Sequence, residues 1–265
     1  MKGLKGKSVL ITGASSGIGR GVAVRFAEEG CNVAINYRSP VELDDARITL
    51  EEVRRAHAGA HAVLVEGDIS REEEVLRMVA EAIRELGRLD ILINNAGIQQ
   101  VSPSHELTLD SFNRILNVNL TGTFLCSKEA IRHFLSRPGG GVIVNNTSVH
   151  EIVPKPQYLS YSASKGAIGN LTKTLALEYA AAGIRVNSVG PGAVVTPINQ
   201  AWIDDPKARA VVESHIPMGR PASTSEIANV FAFLASDEAA YITGQTIYAC
   251  GGLTLFAEFQ STWAS

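Results

Sequence analysis

Seven short runs of β-branched and other apolar residues, at 8–12, 32–37, 61–66, 91–94, 142–147, 185–189 and 246–249, alternate with longer stretches of helical periodicity. The runs are nearly continuous in apolar residues rather than alternating, the pattern of strands covered on both faces in a parallel sheet. Between the first two, Val22, Phe26 and Ala27 share a helical face, and after the fifth Ala163, Ala167, Leu171 and Leu175 recur every four residues. This alternation predicts an α/β fold. The expected architecture is a single doubly wound Rossmann-type parallel sheet of about seven strands, flanked by helices on both faces, forming one domain over 1–265.

Two regions break the rhythm. Residues 195–217 carry Pro197, Asp204-Asp205-Pro206 and Pro217 between a strand and a helix expected to begin near Thr224. The stretch is too long for an ordinary connection, so it is expected to be a substrate lid. The tail after Gly251-Gly252 carries Leu253, Leu255, Phe256, Phe259 and Trp263, an apolar content that suits packing on the domain's own core or on another subunit.

Composition narrows the function classes. A hydrophobic content of 45% in 265 residues supports a sizeable core, and a net charge of −3 with scattered basic residues gives no footprint for nucleic acid. No run of about 18 or more apolar residues occurs, so no membrane span is expected. The chain enters its first strand almost directly, without room for a secretory signal, and Cys31, Cys126 and Cys250 are too far apart for a disulfide framework. The expected location is cytoplasmic. His57 and His61 flank a loop, and His133 and His215 have no ligand-spaced neighbour, so no metal site is expected.

Directly after the first strand comes Thr12-Gly13-Ala14-Ser15-Ser16-Gly17-Ile18-Gly19, opening a helix in the first βαβ unit. Glycines there let the backbone approach a pyrophosphate, and the helix start offers unpaired N–H groups. The second strand ends Asn36-Tyr37-Arg38-Ser39, without the acid that usually holds the ribose hydroxyls of NAD. Arg38 can instead pair with a 2′-phosphate, so NADP is expected to be accepted alongside NAD.

Tyr161 and Lys165 stand at i and i+4 on the long helix, with Ser148 at the end of the fifth run. A phenol beside a fixed cation is a proton donor or acceptor, which suits redox at a carbon bearing oxygen. Bringing a phenol from about 10 to about 7 takes roughly 4 kcal/mol favouring the phenolate. A unit charge about 5 Å away contributes about 3 kcal/mol at an effective dielectric near 20, and desolvation opposes it. Lys165 alone falls short; a second cation, such as an oxidised nicotinamide, closes the gap.

Together with Asp68-Ile69, Asn94-Asn95-Ala96-Gly97, Asn119 and Pro191-Gly192, these motifs resemble the short-chain dehydrogenase/reductase family over nearly the whole chain. The resemblance implies a catalytic tetrad of Asn119, Ser148, Tyr161 and Lys165, with Asn119 positioning a relay water. It implies cofactor contacts from the loop residues Gly13, Ser15, Ser16, Gly17, Ile18 and Gly19, from Tyr161 and Lys165, and from Asp68 and Ile69 along the adenine. Asn95, Ala96 and Gly97 would border the ribose, and Pro191, Gly192, Val194 and Thr196 the nicotinamide.

Within the family the chain is similar to bacterial glucose 1-dehydrogenases, through Asn36-Tyr37-Arg38-Ser39, Ser148-Val149-His150-Glu151, Thr196-Pro197-Ile198-Asn199 and Ile216-Pro217-Met218-Gly219. That similarity implies use of both NAD and NADP, a homotetramer, and oxidation of an aldose to a lactone. It places Ser148, His150, Gln99, Asn199 and Trp202 against the substrate. Gln99 stands where those enzymes carry Glu, Trp202 near a Lys and Cys250 in place of an Asp, changes that bear on sugar recognition. Two other readings stay open: a reductase of another carbonyl, such as a 3-oxoacyl thioester or small ketone, and a non-catalytic cofactor-binding module.

Overall fold

A computed structural model describes residues 1–59 and 61–255. Its seven strands are β1 (Ser8–Ile11), β2 (Asn32–Tyr37), β3 (Ala62–Glu66), β4 (Ile91–Asn94), β5 (Gly141–Asn146), β6 (Ile184–Pro191) and β7 (Thr246–Ala249). They form one sheet in the order β3-β2-β1-β4-β5-β6-β7. All six neighbouring pairs are parallel. Every residue of β1 and β4 is buried, as near-continuous apolar runs require. The strands agree with the sequence reading to within two residues at each end.

The helices are α1 (Gly17–Glu28), α2 (Leu43–Ala56), α3 (Glu72–Leu86), α4 (Leu109–Leu116), α5 (Gly122–Leu135), α6 (Leu159–Tyr179), α7 (Gln200–Ile203), α8 (Pro206–Ser214) and α9 (Thr224–Ala235). On one face, Phe26 of α1 and Phe231 of α9 pack with Val9, Ile11, Val33 and Ile93. On the other, Met78 of α3 and Phe134 of α5 pack with Leu10, Leu92 and Ile143. Each of these fully buried side chains contributes about 1.5–3 kcal/mol relative to exposure. Alternate residues of β1 thus feed two cores, and α9 begins on a Ser223–Glu226 capping box.

Chain direction along the sheet reverses between β3 and β4, so β1 and β4 flank the switch point where open α/β sheets bind ligands. Residues 195–217 are not one long loop. They form a short 3-10 turn (Pro197–Asn199), α7 and α8, because Asp205 accepts from the Lys207 N–H and Pro206 occupies the first helical position. The chain flanking the segment is paired: Val195 donates to the Ala222 carbonyl at 3.0 Å and Ala222 donates to the Ala193 carbonyl at 2.9 Å.

Cys31 and Cys126 are buried in the core, and burial pushes both thiols up to about 12. Among the described residues no helix is long and apolar enough to cross a membrane. Of the apolar tail, Phe256, Phe259 and Trp263 lie outside the described residues.

Candidate active site at the carboxyl ends of the strands

A cavity of about 1140 Å³ opens at the switch point. It runs from the glycine loop after β1, past the ends of β2, β4, β5 and β6, to α7 and α8.

Polar side chains inside the sheet hold the loop in place. Asn36 of β2 accepts from the Gly13 N–H at 3.0 Å and donates to the Tyr37, Val65 and Gly67 carbonyls. Asn95 donates to the Thr12 and Gly13 carbonyls, each at 3.0 Å, and accepts from Asn146 at 2.9 Å. Gly13 has a φ of +59°, and a Cβ there would lie 2.8 Å from the Ala96 Cα. A side chain would fill the cradle, so the loop fits the backbone approach that a dinucleotide pyrophosphate needs.

Gly19, expected to touch cofactor, is buried and does not line the cavity. A Cβ on it would lie 2.3 Å from the Gly13 carbonyl oxygen and 2.5 Å from Asn95 Nδ2, so its part is to let helix, loop and β4 close together. Gly19→Ala must displace backbone, at a cost of about 1–3 kcal/mol. The expected result is a melting temperature several degrees lower, with weaker dinucleotide binding by calorimetry.

The other expected cofactor residues do line the cavity: Gly13, Ser15, Ser16, Gly17, Ile18, Arg38, Asp68, Ile69, Asn95, Ala96, Gly97, Pro191, Gly192, Val194 and Thr196. One residue was missed from sequence. Glu42, folded back by a 3-10 turn over Pro40–Glu42, pairs with Arg38 at 3.3 Å and accepts from the Arg38 N–H at 3.1 Å. A carboxylate thus stands beside the end of β2, four residues after Arg38.

Ser148, Tyr161 and Lys165 converge on the same cavity. Ser148 lies just beyond β5 and caps a short 3-10 turn, accepting from the His150 N–H at 3.1 Å. Tyr161 and Lys165 lie one turn apart on α6, with Lys165 Nζ 5.5 Å from the Tyr161 ring centroid. Lys165 is 4% exposed and donates to the Asn146 carbonyl at 2.7 Å.

Burial raises the Tyr161 phenol above its ordinary value; the Ser148 hydroxyl opposes this, and Tyr158 adds to it. Burial also pushes the Lys165 amine down to about 8, with Glu151 pulling the other way. Within the chain alone, desolvation therefore outweighs the hydrogen bond from Ser148 to the phenol. Activating Tyr161 as a base needs a further positive charge beside it.

Asn119 is fully buried and lies behind the cavity wall rather than on it. It sits in a π-turn (Asn117–Thr121) between α4 and α5, a local irregularity that recurs at functional sites. Its side chain accepts from the Ile98 N–H at 2.8 Å and donates to the Ile98 carbonyl and to Ser164 Oγ, each at 3.0 Å. Its carbonyl accepts from Thr123 Oγ1 at 2.7 Å. Since Ser164 Oγ in turn donates to the Tyr161 carbonyl at 2.7 Å, Asn119 braces α6 under the tyrosine.

Gln99, His150, Asn199 and Trp202 also line the cavity. The His150 Nδ1 faces the Val153 carbonyl at 2.8 Å, so that nitrogen carries a proton and Nε2 of the neutral ring is an acceptor; burial lowers its pKa, the Val153 carbonyl opposes this and Lys155 adds to the lowering. Asn199 spends its amide on the Val194 carbonyl, at 2.9 Å, bracing the lid, and Gln99 reaches the Ile198 carbonyl at 3.4 Å. Beside them the lining carries an apolar stretch, Val101, Val118, Pro154, Ile198 and Leu253, together with the charged Arg114 and Lys155.

A parallel sheet with a glycine-lined dinucleotide cradle and a Tyr/Lys/Ser group at one cavity defines a nicotinamide-type oxidoreductase. Comparison with known proteins agrees. The family model described as enoyl-(acyl carrier protein) reductase matches residues 13–254. The chain is 52% identical over 260 residues to a glucose 1-dehydrogenase of Gluconobacter oxydans, covering 98% of this chain and 96% of that protein. It is 48% identical to 3beta-hydroxysteroid dehydrogenase 1 of Eggerthella lenta, covering 97% of each. A gluconate 5-dehydrogenase from Burkholderia cenocepacia, solved with NADP and tartrate, superposes with a TM-score of 0.88 at 33% identity, over 95% of this chain and 96% of the other. The chain belongs to the short-chain dehydrogenase/reductase family.

Proposed function

We propose that this protein oxidises a sugar hydroxyl with NAD or NADP, in the manner of a glucose 1-dehydrogenase, aldose to lactone. The observation that carries the reading is the convergence of Ser148, Tyr161 and Lys165 on the cavity that also holds the glycine loop and Arg38. The 52% identity to a glucose 1-dehydrogenase supports the sugar as substrate class.

When bound, the nicotinamide supplies the redox chemistry by accepting the hydrogen and electron pair from the carbinol carbon. The chain's own groups do the rest. Ser148 Oγ hydrogen-bonds the substrate oxygen and fixes it against the phenol. Tyr161, as phenolate, removes the hydroxyl proton, and a positive charge next to it offsets the desolvation that otherwise keeps it protonated. Lys165, anchored on the Asn146 carbonyl, adds its charge to that site and would hold the nicotinamide ribose. Asn119 acts through α6 as a positioning residue. His150 Nε2 offers an acceptor for a neighbouring hydroxyl, and Gln99 and Trp202 shape the far wall.

The segment 195–217, its flanks paired through Ala193, Val195 and Ala222, serves as a lid on a single domain. We propose, from its resemblance to bacterial glucose 1-dehydrogenases, a cytoplasmic homotetramer, a state that light scattering tests directly. The apolar stretch of the lining favours one second reading, a secondary alcohol or ketone on an apolar frame. Reduced-cofactor absorbance across aldoses, polyols and secondary alcohols separates the two. Turnover of aldoses is expected; no turnover of any sugar, beside brisk reduction of ketones, would remove the first reading.

A further inference from the structure

The adenosine end of the cavity contains an ion pair that a nucleotide must deal with. Three donors gather there: the Arg38 guanidinium, the Arg38 N–H and the Ser15 hydroxyl. This is the set that a phosphate monoester would recruit. All three are directed at Glu42. Its carboxylate pairs with Arg38 Nη2 at 3.3 Å and accepts from the Arg38 N–H at 3.1 Å and from Ser15 Oγ at 3.4 Å.

Among the described residues no second cation stands ready to take the place of Arg38. Arg20, the nearby candidate, is spent on the Ser15 carbonyl at 2.6 Å and Thr49 Oγ1 at 3.0 Å, with Asp45 at 3.6 Å. Asp68 lines the same end and accepts from Ser70 at 2.6 Å. The charges facing a bound ribose from β2, the turn after it and the end of β3 are therefore one cation and two carboxylates.

We infer that Glu42 sets the cofactor preference of this protein, holding the 2′-phosphate subsite in its own carboxylate and favouring NAD over NADP. The free 2′-hydroxyl of NAD is a donor that Glu42 accepts without rearrangement. A 2′-phosphate meets Glu42 as a like charge and binds Arg38 only after the carboxylate has moved aside. The Glu42 side chain is 30% exposed and the Arg38 side chain 51% exposed, so the displacement needs no repacking of the core. Dual cofactor use follows, with the penalty falling on NADP.

Calorimetric titration of the full chain with ADP and with 2′,5′-ADP tests this without any alcohol substrate, so the outcome stands apart from the sugar reading. The unaltered protein is expected to bind ADP more tightly than 2′,5′-ADP. Glu42→Gln is expected to tighten 2′,5′-ADP about tenfold while leaving ADP unchanged or weaker, since a like-charge contact is removed. Arg38→Ala is expected to weaken 2′,5′-ADP more than ADP. Preference of the unaltered protein for 2′,5′-ADP would overturn the inference, and needs no variant. An equal effect of Glu42→Gln on both nucleotides would overturn it as well.

Discussion

Replacing Tyr161 by Phe is expected to lower kcat by about a thousandfold while dinucleotide binding stays within about twofold. The ring keeps its place: it lies edge-on to His150 and Tyr158 with centroids 6.2 and 6.3 Å away, contacts that Phe preserves. What disappears is the hydroxyl that takes the substrate proton. Ser148 cannot replace it, because a hydroxyl without an adjacent base titrates far above the phenol. Steady-state rates alongside calorimetric cofactor titration check the split; loss of binding and rate together would point to a structural role instead.

The second large effect is expected at Lys165 and has two opposite signs. Lys165→Met removes the charge near Tyr161 and should reduce kcat/KM by a hundredfold or more, an order of magnitude typical for a lost electrostatic partner. In the absence of nucleotide it should also raise stability at neutral pH. The amine sits 4% exposed and is pushed down to about 8 from its model-compound value of 10.5 by burial.

Below about 8 both folded and unfolded chains carry the proton on Lys165, and the folded state bears the full desolvation penalty. As pH rises from about 8 to 10.5, the unfolded chain holds more protons at this site, so the wild type gains stability over that interval. Its difference from Lys165→Met should narrow accordingly. The stake is about 3 kcal/mol, less the lost hydrogen bond to the Asn146 carbonyl, and thermal melts of both proteins across that interval measure it. A variant less stable than wild type at neutral pH would contradict the burial argument.

The fold was legible because each strand is a short apolar run bounded by glycine or polar residues, and parallel strands bury both faces. Tyr161, Lys165 and Ser148 were legible because helical spacing and a strand end place them without long-range information. Three features were not. Asn36, Asn94, Asn145 and Asn146 read as polar interruptions of strands, yet they carry the bonds that hold the glycine loop and tie β4 to β5, such as Asn94 to Asn145 at 2.9 Å. Their partners lie far along the chain, so no local pattern announces them.

Glu42 was passed over because an acid was sought at the end of β2 itself. The Arg38–Glu42 spacing of four residues was the signal available, and Pro40 marked the turn that brings them together. Asp205-Pro206 was treated as loop punctuation, although a capping acid followed by proline is equally a helix start, and α8 begins there.

In the proposed reaction a hydride passes from a sugar carbinol carbon to a nicotinamide, with Tyr161 as base. Single-turnover oxidation of glucose deuterated at the anomeric carbon tests it most directly, read by mass spectrometry of the cofactor. Deuterium is expected in the reduced nicotinamide, with a slowed wild-type step relative to unlabelled glucose and no transfer in Tyr161→Phe on the same timescale. Unlabelled cofactor, or label transferred equally fast by the variant, would contradict it.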